Sequence, residues 1–208
     1  MFNSSGDAKA ARPFFELAFD LARQLHEDFY AVDALHMLAI VAPPGQSLTL
    51  NLQAIEMAES SRQEKARNWL GSLYNNTDWS YHDMGEYERA LEVFEKAEIW
   101  QRSKGRVNET RIASWCVART LRSLNRFEEA LSRQLALEEE WAEDGETDGY
   151  VFEEIGECLL ALNRKEEARP YFSTAYVILN ADAWLVEHDS ARLERLRSLA
   201  QSSEAQIV

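Results

Sequence analysis

Four sets of side chains carry the groups that could do chemistry. Asn75, Trp79 and His82 stand at i, i+4 and i+7, and Trp115, Arg119 and Arg122 repeat that spacing. Tyr150, Glu153 and Glu157 stand at i, i+3 and i+7, and Asp33 and His36 at i and i+3. On a helix, such spacing puts each set on one face. Arg119 and Arg122 would bind a carboxylate, Trp79 and Trp115 would hold apolar side chains, and Glu153 and Glu157 would take a basic residue or an amine. Aromatics and arginine dominate binding hot spots because they bury large areas and make directional bonds. A second reading keeps these residues structural, with both tryptophans packed on adjacent helices and the arginines paired with Glu153 and Glu157. A third assembles His36, His82-Asp83 and Glu153 into a metal or acid–base site, but no pair has the spacing of a known one. The sequence has no HExxH, P-loop, GxSxG or glycine-rich dinucleotide loop. The expectation is a non-catalytic protein with no cofactor and no metal.

The elements that position these groups repeat. In the stretch from Tyr74 to Ala97, Tyr74, Thr77, Asp78 and Tyr81 share a face of one helix, Gly85 makes a turn, and Ala90, Phe94 and Ala97 share a face of the next. The turn GEYERAL at Gly85 recurs as NRFEEAL at Asn125, 40 residues on, and as NRKEEAR at Asn163, a further 38. Glycine and asparagine are the residues that tolerate the left-handed backbone ending a helix. Ala90 becomes Ala130 and Ala168; Asp78 becomes Ala118 and Gly156. A worn copy precedes these, with Ala39 at the small position, Asn51 where Ala90 stands and APPGQ (42–46) as its turn.

The pattern Gly85-x-Tyr87-x-x-Ala90-Leu91-x-x-Phe94-x-x-Ala97 resembles the tetratricopeptide repeat, a helix–turn–helix unit of about 34 residues. The resemblance runs from about Phe29 to Asn180. It implies an all-α fold, a right-handed superhelical solenoid of antiparallel helix pairs with terminal capping helices. In that architecture the first helix of each pair lines a concave groove, and the four sets named above would face it. The resemblance therefore implies a scaffold or adaptor that binds a protein or peptide segment. Some members clamp acidic C-terminal tails of chaperones with lysines, asparagines and an arginine; the lysines are missing here, and that activity is not carried over.

The expected organisation is a leader and capping helix over 1–27, helix pairs at about 28–62, 63–105, 106–147 and 148–180, and a capping helix and tail over 181–208. Residues 1–6 should be mobile. From Arg12 to Glu27, Phe14, Leu17, Ala18, Leu21 and Leu25 form a stripe that Phe15 and Phe19 widen, expected to bury against the first repeat. The first helix of the second pair could start as early as Gln63 and project beyond its neighbours. Residues 182–186 read as a short turn. Asp189 or Ser190 would cap a last helix whose arginines 192, 195 and 197 mostly face away from Leu193, Leu196 and Ala200, and residues 201–208 read as a frayed tail.

Composition narrows the function further. With 22 basic against 36 acidic residues, a net charge of −14 argues against nucleic-acid binding. The sequence has no apolar run of about 18 residues and no secretory pattern at its start, so no membrane partner and a cytoplasmic location are expected. Cys116 and Cys158 should then be packed thiols. A homodimer that buries a solenoid edge or the Phe14–Phe15–Phe19 face is the alternative to a peptide-binding groove.

Overall fold

The structure, a computed structural model, describes residues 8–201. The mobile start at 1–6 and the tail beyond Gln201 lie outside the described residues. Every regular element among the described residues is helical, and these elements fall into two compact units, residues 1–110 and 111–208.

The first unit contains α1 (Ala8–Gln24), α2 (Asp28–Val41), α3 (Pro44–Ser60), α4 (Glu64–Arg67), α5 (Leu70–Asp83) and α6 (Tyr87–Ser103). α1 packs on α2, α2 on α3, α3 on α5 and α5 on α6. Alanines make these approaches possible: Ala31, Ala54, Ala58 and Ala90 are fully or almost fully buried, with Val32, Leu73 and Phe94 filling the space beside them. Gly85 turns the chain at φ 74°, and α6 starts two residues later.

Two expectations fail in this unit. The stripe on α1 does not bury: Phe14, Leu17, Leu21 and Leu25 are 60%, 66%, 52% and 62% exposed. The helix instead buries Ala11 and Ala22, with Phe15 and Phe19 half-buried. The small residues, not the longest apolar row, mark the face that approaches a neighbour. The helix foreseen from Gln63 is also broken, into α4 and α5. The Gln63 side chain accepts from the Phe29 N–H at 3.1 Å and donates to the His26 carbonyl at 3.1 Å, while Arg67 donates to the Ser61 carbonyl at 2.7 Å. These bonds fold the extra length onto α2 instead of letting it project.

The second unit contains most of α7 (Val107–Ser123), then α8 (Phe127–Glu143), α9 (Gly149–Ala161), α10 (Lys165–Leu179), α11 (Ala183–His188) and α12 (Ser190–Gln201). Asn125 and Asn163 make its turns at φ 59° and 61°. α9 packs closely on α10, and a Cβ on Gly156 would lie 2.7 Å from the Phe172 ring. That distance explains glycine at the small position of this pair. Residues 182–186, read as a turn, belong to a short helix whose cap is Asp182, accepting from the Trp184 N–H at 2.8 Å. Leu193 and Leu196 bury α12 against α10. Cys116 and Cys158 are buried thiols, and burial pushes the Cys158 thiol up to about 12.

Candidate functional site

In the second unit, α7 and α9 bring one tryptophan–arginine set against one tyrosine–glutamate set. The Trp115 indole N–H donates to the Tyr150 carbonyl at 3.2 Å, and the two rings meet edge to face at 6.2 Å. The Arg119 guanidinium lies over the Trp115 ring, 5.2 Å from its centre. Arg122 donates to both oxygens of Glu154, at 2.7 and 2.9 Å, and Arg119 stands 3.9 Å from the same carboxylate. Burial would lower the Arg122 pKa, but Glu154 holds it above its ordinary value.

The glutamates named from the sequence have other partners. Arg192 of α12 grips Glu153 through Nε and Nη2 at 2.5–3.0 Å and lies 4.9 Å over the Tyr150 ring. Arg195 bonds both oxygens of Glu157. Burial raises the Glu153 pKa, and Arg192 opposes that rise. One reading of the sequence paired the α7 arginines with Glu153 and Glu157; in the structure Arg122 hydrogen-bonds Glu154, and Glu153 and Glu157 are bridged to Arg192 and Arg195. Of the α12 arginines, Arg192 and Arg195 reach α9, because its carboxylates lie within their span. Glu154, Arg192 and Arg195 are the residues the spacing argument missed. Glu154 stands at i+4 from Tyr150, as Glu153 does at i+3, and was legible on that ground.

Beside Trp115 opens a pocket of about 250 Å³. Its walls are Trp115 and Ile112 of α7, Leu137 and Trp141 of α8, and Tyr150 and Val151 of α9. Arg111 supports it from behind, 6% exposed, with its guanidinium 4.5 Å above the Trp141 ring. Nη2 of Arg111 donates to the Glu140 carbonyl at 2.7 Å and to Asp144 at 2.5 Å. Arg111 is a hydrogen-bonded strut between α7 and the end of α8, and the pocket it frames is almost wholly apolar.

In the first unit, Trp79 sits in a chain of rings. It meets Phe94 edge-on at 5.4 Å and His82 at 5.4 Å, and His82 meets Tyr87 at 5.0 Å. Trp79 thus packs on the second helix of its own pair, while another part of it lines a pocket of about 550 Å³ and mixed character, with Asn75, Asn76 and Asp83 of α5 and Asn51 of α3 as polar groups and Ile40 and Met84 among the apolar ones. Asn75 is exposed there. Asp33 and His36 share a face of α2, but Trp69 lies against the imidazole, its ring centre 5.0 Å away and tilted by 43°, and His36 Nδ1 is buried without a hydrogen bond. Burial lowers the His36 pKa, with Asp33 opposing, and raises that of Asp33. Trp69 sits at the α4–α5 break, which no local signal announces. Glu153 is held by Arg192, and among the described residues no group of three His, Cys, Asp or Glu is placed to hold a metal ion.

Residues 79–101 match the profile of the tetratricopeptide repeat. Among curated proteins no sequence matches this chain. The nearly identical TPR-like repeats of a candidate kinesin light chain from Podosopora anserina are similar in fold, with a TM-score of 0.66 at 12% identity over 97% of this chain and 92% of that one. BtubC (BKLC) from P. vanneervenii is similar at a TM-score of 0.63 and 16% identity, over 97% of this chain and 95% of that one. At these identities the likeness is one of fold. No helix among the described residues is long and apolar enough to cross a membrane.

Proposed function

We propose that this tetratricopeptide-repeat protein is a non-catalytic scaffold that binds an extended segment of a partner protein, anchored in the second unit by the pocket beside Trp115. The observation that carries this reading is the pocket itself. It is apolar, about 250 Å³, and walled by Trp115, Trp141 and Tyr150, residue types that concentrate binding energy. An aliphatic or aromatic side chain of the partner fills it. The neighbouring Arg119 and Arg122 meet a carboxylate on the same segment, exchanging it against Glu154. Glu153 and Glu157, each already bridged to α12, contribute by holding Tyr150 and α9 in place and not by reading a basic residue. In the first unit, Asn75 beside Trp79 offers amide bonds to an extended backbone.

The test is selection of a displayed random peptide library on the wild-type chain, with Trp115→Ala as the counter-selection. Enrichment of peptides with a shared apolar anchor next to an acidic residue, lost on Trp115→Ala, supports the reading. Peptides that enrich equally on both proteins refute it.

A further inference from the structure

Ala90, Ala130 and Ala168 hold the same place on the second helices of their pairs, and all are buried. In the first pair that place belongs to Asn51 of α3, which is only 2% exposed. Its Oδ1 has no hydrogen-bond partner. Burying an acceptor unpaired is unfavourable, and a residue that breaks the rule of its own repeat at that cost marks a place where function sets the choice. Asn51 lines the cavity of about 550 Å³ beside Trp79. Turning its amide about the last side-chain bond breaks no bond at Oδ1 and presents that oxygen to the open space.

The rest of the wall says what would satisfy it. Asp83 adds a carboxylate and Ser47 a hydroxyl, and among the described residues that line the cavity there is no lysine, arginine or histidine. An anion would meet a like charge with nothing to pair it. A cation finds acceptors, and the net charge of −14 draws it in. Trp79 supplies an indole, the ring that attracts cations best. Ile40 and Met84, 52% and 54% exposed, supply apolar surface. The cavity is therefore amphipathic, and it matches a cation carried on an apolar stem.

We propose that this cavity takes an arginine side chain from a partner's peptide segment, its stem on the apolar wall and its guanidinium bonded to the acceptors of Asn51 and Asp83. A guanidinium carries several donors in a planar fork and stacks on an indole, so it serves such a wall better than an ammonium does. The inference goes beyond the anchor at Trp115, which belongs to the other unit. It rests on the scaffold reading only in taking a peptide as the occupant.

The experiment is a titration of the isotope-labelled full chain, followed by NMR at the indole and side-chain amide resonances. The probe is a capped glycine pentapeptide with arginine at its centre, beside counterparts carrying citrulline, the neutral isostere, or glutamate. The arginine peptide is expected to shift the Trp79 indole and the Asn51 amide saturably, the citrulline peptide to bind at least about tenfold more weakly, and the glutamate peptide not to bind. Asn51→Ala restores the alanine of the other pairs; it should abolish the arginine response and raise the melting temperature, since the unpaired acceptor is gone. Asp83→Asn should keep the fold and weaken arginine binding about tenfold. Equal affinity for arginine and citrulline overturns the proposal. So does an arginine response that survives both substitutions, or no saturable response in the wild type. The probe has no apolar side chain, so the pocket beside Trp115 takes no part in the readout and each reading can fail without the other.

Discussion

Asp78 is buried on α5, where repeats of this kind place a glycine or alanine. Burial pushes its carboxyl up to about 8, and the Trp79 N–H, donating at 2.6 Å, only partly offsets this. The folded chain therefore keeps a proton that the unfolded chain loses above about pH 4. Because the native state binds more protons, stability is fully present below about pH 4 and falls as pH rises towards about 8. Asp78→Asn should flatten that slope and raise stability at pH 8 by roughly 2–5 kcal/mol, measured by urea unfolding at pH 5, 7 and 8.5. An unchanged slope would mean that Asp78 is ionised in the fold. The sequence marked Asp78 and Asn51 as polar residues at small positions; what it left open was how they are accommodated. Both are buried, and Asn51 Oδ1 has no hydrogen-bond partner. The choice of Glu154 over Glu153 by Arg122 was likewise open, because adjacent residues on a helix point about 100° apart and the crossing of α7 and α9 decides between them.

The helix pair was the most legible element, because its turns rest on local chemistry. Asn125 and Asn163 adopt the left-handed backbone their identity suggested. Asn125→Ala should therefore cost about 1 kcal/mol and Asn125→Gly almost nothing, by thermal unfolding. Gly156 is a matter of space: its missing side chain admits Phe172. Gly156→Ala should destabilise the second unit by roughly 1–3 kcal/mol, and Gly156→Ala with Phe172→Leu should recover part of the loss. Less legible were the features set by tertiary contact. The break between α4 and α5 has no proline, and Gly71 lies beyond it, where a Cβ would stand 3.0 Å from the Trp100 ring. It exists because Gln63 and Arg67 bond to neighbouring segments and Trp69 covers His36. On α1 the count of apolar residues misled, since close packing follows Ala11 and Ala22 while the longer row faces outward.

At the scale of the molecule, the repeat reading of the fold was available from the turns and alanines, and the residues of the proposed site were available only as faces. Trp115 and Tyr150 do come together, and Trp79 does line a pocket, yet Trp141 and Arg111 complete the site from helix ends that no periodicity singled out. The charge bookkeeping also shifted: the arginines of α7 and α12 share Glu153, Glu154 and Glu157 as a ladder. That ladder leaves apolar contact beside Trp115 to anchor a ligand, with the carboxylate contact secondary and sensitive to salt. Binding should accordingly weaken at least about tenfold on Trp115→Ala but only a few-fold between 0.05 and 0.5 M salt. The most direct test is calorimetric titration of a library-selected peptide into the wild-type chain and into Trp115→Ala, at matched melting temperatures. Saturable one-to-one binding per chain, lost in the variant while the fold persists, is the expected result. Equal affinity for both proteins would contradict a binding site at Trp115.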